Sequence, residues 1–120
     1  MKMTYYRLFL LISFIGLGSC TSHSPDDFEG FIPTNVTYTN DVRPIIEANC
    51  IACHQDPPIN GAPMPLTDYD KVKQAILTRP LIDRISRPQG APGMMPNGGT
   101  RLPQYKIDII KKWSDQGLQN

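Results

Sequence analysis

Two thiols and an imidazole stand together at Cys50-Ile51-Ala52-Cys53-His54. On a helical turn, positions i, i+3 and i+4 share one face. Cys50 and Cys53 can then each add an S–H across a different vinyl group of one porphyrin, and His54 can aim a neutral imidazole at its iron. The spacing is the sequence signature of covalent c-type haem attachment. Three other chemistries use parts of the pattern. A C-x-x-C redox disulfide opens a helix after a strand, whereas this pair closes a predicted helix in a chain with no strand signal. A zinc site needs a further Cys or His, and the chain's other histidine, His23, lies far upstream in an acidic, proline-broken stretch. A structural disulfide across so short a loop constrains little chain.

A haem iron held by His54 needs a ligand on its other face. Methionine is a common partner of histidine in cytochromes c and raises the reduction potential. The candidates are Met64, Met94 and Met95. Met64 falls in a proline-rich loop, Gln55 to Pro65. Met94 and Met95 fall in a second loop, Gln89 to Gly99, whose glycines let backbone lie close to a ring. Pro96 stiffens the chain beside Met95, but Pro65 does the same beside Met64, so all three stay open on these grounds. Arg79, Arg84, Arg87 and Arg101 suit haem carboxylates, because guanidinium pairs well with them. Arg84 is the favoured one, since it sits inside a short apolar helix.

The elements that must position these groups read as three or four short helices joined by Pro/Gly loops, an all-α class. A first helix is predicted to begin near Asn40 or Asp41, both good caps. It tolerates Pro44 in its first turn, presents Val42, Ile45 and Ile46 at helical spacing, and runs into Cys50. Thr67-Asp68-Tyr69-Asp70 resembles a capping box and opens a helix from about Asp68 to Leu77, with Tyr69, Val72, Ile76 and Leu77 as its inner face. Pro80 opens a short helix, Leu81 to Ser86, that stops before Pro88. A last helix starts at Pro103, carries Ile107, Ile110 and Trp113 with Ile109 beside them, and stops at Gly117.

The start of the chain reads differently. Lys2 and Arg7 precede a run of ten almost wholly apolar residues, Leu8 to Leu17, half the roughly 20 that a spanning helix needs. The pattern predicts a secretory signal. Leu17-Gly18-Ser19-Cys20 resembles the lipobox of bacterial lipoproteins, which implies cleavage after Ser19 and lipidation of Cys20. The predicted organisation is therefore a signal peptide over 1–19, a flexible tether over 20–37 and one domain over 38–120. The expected location is the bacterial cell envelope, with the lipid on Cys20 anchoring the protein to a membrane so that it faces the periplasm or the cell surface. Losing Lys2 and Arg7 turns the formal charge of +1 into −1, which excludes a basic nucleic-acid binder.

From Tyr38 onward the sequence resembles the monohaem class I cytochrome c domains of bacteria, particularly the planctomycete-type group. The residues that carry the likeness are Asp41-Val42-Arg43-Pro44-Ile45-Ile46, Asn49-Cys50-Ile51-Ala52-Cys53-His54, Pro65-Leu66-Thr67-Asp68-Tyr69, Met95-Pro96-Asn97-Gly98-Gly99, and a final helix with Trp113 and Gly117. The resemblance implies one covalent haem c with His54 and Met95 as axial ligands, although the adjacent Met94 departs from the family pattern. It also implies a first helix crossing the last, and transfer of electrons between redox partner proteins or as the relay of a dehydrogenase. Asp68 with Asp70 and Asp26 with Asp27 are a helix start and a tether, not an acid–base pair, so an electron carrier is expected and not an enzyme. Two alternatives follow from the same residues. One is small-ligand binding or sensing at a haem with a labile Met95, and the other is a haem-free thiol-disulfide oxidoreductase.

Overall fold

The computed structural model describes residues 30–120, and no strand occurs among the described residues. The expected signal, Cys20, His23 and the tether as far as residue 29 lie outside them. The helical elements are a π-helical turn (Tyr38–Val42), α1 (Arg43–Asn49), α2 (Tyr69–Thr78), α3 (Leu81–Ser86) and α4 (Gln104–Asp115). None of the helices among the described residues is long and apolar enough to cross a membrane.

Helix initiation lies upstream of the predicted Asn40 or Asp41. Thr37 is extended, its Oγ1 accepts from the Asn40 N–H at 3.3 Å, and the Asp41 carboxylate accepts from the Thr37 N–H at 2.8 Å. Asp41 thus serves as the returning acceptor of a reciprocal cap and not as the cap itself. The wide π turn then passes directly into α1 at Arg43, with Pro44, which has no N–H to donate, in the first turn. Asp68 caps α2 by accepting from the Lys71 N–H at 3.0 Å, while the Thr67 hydroxyl bonds to the Asp68 carboxylate and accepts from Lys71 Nζ, reaching no backbone N–H and so taking no part as a cap. The inner face of α2 also needs correcting. Val72 and Ala75 are buried, whereas Leu77 is 64% exposed. Leu77 lies five residues past Val72, about 140° round a helix of 3.6 residues per turn, so Ala75 completes the arc.

The last helix buries Ile107, Ile109, Ile110 and Trp113. Fully burying a side chain such as Ile107 or Ile110 contributes about 1.5–3 kcal/mol. Gly117 takes a φ of +88° and ends the helix. Its N–H bonds to the Ser114 carbonyl at 3.2 Å and the Leu118 N–H to the Trp113 carbonyl at 3.0 Å, the bond pair of a Schellman stop with buried Leu118 folded back on Trp113.

The two ends of the described chain meet there. Gln119 O accepts from the Tyr38 N–H at 2.9 Å and from Trp113 Nε1 at 2.6 Å. Gln116 donates to the Thr34 carbonyl and accepts from the Val36 N–H, and Val36 is buried. Packed chain therefore begins before the predicted boundary at Tyr38. Tyr38, Tyr69 and Trp113 stack around this junction with centroids 5.6 to 6.1 Å apart. The π turn and α3 both pack on α4, and α2 packs on α3. Val42, Ile45 and Ile46 share one core with Ile107, Ile110 and Trp113.

Candidate functional site

A cavity of about 640 Å³ opens between the end of α1, α3, α4 and the two Pro/Gly loops. Its apolar wall includes Ile46, Leu66, Leu81, Ile85, Leu102 and Ile110. That size and character lie within the range of small-molecule and cofactor sites.

One side is the Cys50–His54 turn. The α1 helix stops at Asn49, whose Nδ2 donates to the Ile45 carbonyl at 2.7 Å. The chain then makes one closed turn, in which the Cys50 carbonyl accepts from the N–H groups of Cys53 (3.2 Å) and His54 (2.9 Å). This brings residues i, i+3 and i+4 to one side, and Cys50, Cys53 and His54 all line the cavity. The following loop folds back, with the Ile59 N–H on the Cys53 carbonyl at 2.9 Å and the Leu66 N–H on the His54 carbonyl at 2.8 Å. Lys71 ties that loop to α2 by pairing with Asp56 at 3.1 Å and Asp68 at 2.7 Å.

His54 is buried, and its Nδ1 lies 2.7 Å from the Met64 carbonyl oxygen. A carbonyl only accepts, so Nδ1 carries the proton. In the neutral ring that leaves Nε2 with its lone pair, the arrangement by which a backbone carbonyl orients a ligating histidine. Burial pushes the Cys50 thiol up to about 11, so it stays protonated at neutral pH. Asn60 Nδ2 donates to Cys53 Sγ at 3.6 Å. Among the described residues no three His, Cys, Asp or Glu side chains converge as a metal-ion cluster.

The glycine-rich loop after α3 supplies Met95. Its N–H donates to the Arg84 carbonyl at 3.0 Å, and Met95 and Pro96 line the cavity. Met94 is buried outside that lining, beneath the glycine-rich loop. Met64 lines the cavity, with its own carbonyl against His54. Of the four arginines, Arg79 and Arg84 line the cavity and Arg87 and Arg101 do not. Arg87 pairs with Asp83 at 2.7 Å, and Arg101 donates to the Arg87 carbonyl at 3.0 Å. Sequence reasoning missed the Met64 carbonyl and the Lys71 tie. A backbone carbonyl has no sequence signature, and Lys71 reads as an ordinary surface charge.

No family profile, curated protein or solved structure matches this chain.

Proposed function

We propose that this protein is a monohaem c-type cytochrome, an electron carrier of the class I cytochrome c fold, anchored to a bacterial membrane through lipid on Cys20. The observation that carries the reading is the placement of Cys50, Cys53, His54 and Met95 around one largely apolar cavity, with His54 turned so that its Nε2 is the ring's free donor atom. The donor set fits a haem: two thiols for two vinyl groups, an imidazole nitrogen and a thioether sulfur for the two faces of the iron. A bound haem supplies an iron that gains and loses one electron.

The chain's own residues do the rest. Cys50 and Cys53 would hold the cofactor by thioether bonds, each from a redox-neutral addition of S–H across a vinyl C=C. The Met64 carbonyl fixes the orientation of His54. Met95 would supply the thioether ligand, which favours a higher potential, and the apolar wall would keep water from the cofactor. Arg79 and Arg84 stand where a carboxylate of the cofactor would find a cation. Exchange is with redox partner proteins and needs no catalytic group of the protein. A thiol oxidoreductase fits less well, because a redox C-x-x-C opens a helix after a strand, whereas Cys50 and Cys53 follow the end of α1 and no strand occurs among the described residues.

The test is expression with the native signal in a host that matures c-type cytochromes, followed by an absorbance spectrum of the denatured protein in alkaline pyridine. A c-type spectrum after denaturation is expected. A colourless product, from a host that matures another cytochrome in parallel, would overturn the reading and restore the thiol oxidoreductase.

A further inference from the structure

We propose that Arg84 is a positioning residue for Met95, gripping the Met95 loop at two points so that the thioether stays over the cavity. The proposal rests on the haem reading above. The first grip is backbone: the Arg84 carbonyl accepts from the Met95 N–H at 3.0 Å. The second is side chain: Arg84 Nη1 donates to the Gly93 carbonyl at 3.0 Å. Residues 93 to 95 are thus held from α3 on both sides of Met94.

Gly93 completes the device. Its φ is +72°, and a Cβ there would overlap the guanidinium groups of both Arg84 and Arg87. The position needs glycine for both conformation and space. Arg84 is half-buried and lines the same cavity as Met95, and its hydrogen bond to Gly93 is partly buried. Arg79 lines the cavity too, yet it is exposed and has no hydrogen-bond or ion-pair partner among the described residues. The two cations therefore differ: Arg79 offers charge alone, and Arg84 also holds backbone.

The experiment compares Arg84→Gln, Arg84→Lys, Gly93→Ala and Arg79→Gln in the full chain. Losing a hydrogen bond from a charged donor is expected to raise the open population of the loop about tenfold or more. In Arg84→Gln, amide hydrogen exchange at Met95 should rise by that factor. Carbon monoxide should bind the reduced protein about tenfold faster or more, the far-red absorption of the methionine-ligated ferric form should weaken, and the potential should fall. Gly93→Ala, which keeps Arg84 but displaces its guanidinium along with that of Arg87 and strains a positive φ, should show the same pattern at least as strongly. Arg84→Lys, with one donor left, should recover much of the sulfur-ligation signal and carries the test if the Gln variant does not accumulate. Arg79→Gln should move the potential while keeping the far-red band. An Arg84→Gln protein with wild-type exchange at Met95, an intact band and unchanged carbon monoxide binding would overturn the proposal. A wild-type chain that matures without haem would overturn the ligand role together with the reading beneath it, while the exchange data would still report on the loop grip separately.

Discussion

The two sides of the cavity are built differently. The His54 side is local. Within residues 50–66, backbone hydrogen bonds close the Cys50–His54 turn, return the chain at Leu66 and set a carbonyl on His54 Nδ1. The Met95 side is assembled from separate elements. Its loop hangs on α3 through Arg84, is steadied by Arg87 on the Pro92 carbonyl at 2.5 Å, and is closed by Gln89, which donates to the Gly99 carbonyl and accepts from the Arg101 N–H. Backbone bonds within a short loop survive most side-chain changes, whereas a loop held by side chains as well as backbone can be loosened one substitution at a time. The comparison predicts a rigid histidine side and a methionine side whose hold can be adjusted.

The largest effect should come from the anchor itself. Cys50→Ser with Cys53→Ser should abolish haem that survives denaturation, whatever is done to the Met95 loop. Next, Met95→Ala should open the second face. Carbon monoxide should then bind the reduced protein readily, and the potential should fall by on the order of 100 mV, a part of the roughly 0.8 V that axial ligands span. Met94→Ala should keep the far-red band and instead lower stability by about 2 kcal/mol, the low end for a buried methionine, measured by denaturant unfolding. If the two methionine variants exchange these outcomes, the assignment of the second side is wrong.

The smallest effect should be at Lys71. Its hydrogen bond holds the Asp68 carboxyl below the ordinary carboxylate range. A lowered folded-state value means that the stabilisation is complete above the unfolded value and is lost as pH falls through the folded one. Both groups are largely solvent-facing, where such pairs are worth little. Lys71→Gln should therefore lower the thermal midpoint slightly at neutral pH, with the difference vanishing in acid. A difference that grew in acid would contradict the tie.

Much of the fold was legible because it is local. Pro80 and Pro88 bracket α3, which forms over Leu81–Ser86 as the sequence predicts, and Gly117 has the positive φ of a helix stop. The Thr37 cap was hidden because Asn40 and Asp41 are themselves good caps, and only geometry shows Asp41 bonding backwards. Leu77 misled because hydrophobicity does not say which side of an arc the core lies on. At the site, the spacing of Cys50, Cys53 and His54 was readable, whereas the residue types alone left Met94 and Met95 open and only the family resemblance favoured Met95. Adjacent residues in an irregular loop share every compositional cue, and the fold places Met95 in the cavity lining with Met94 buried outside it.

The most direct test is to denature the purified protein, digest it, and weigh the peptide that contains Cys50 to His54. The account predicts one haem on that peptide, joined through both thiols, and none on any other. The same peptide recovered with two free thiols, from a host that matures other c-type cytochromes, would contradict it.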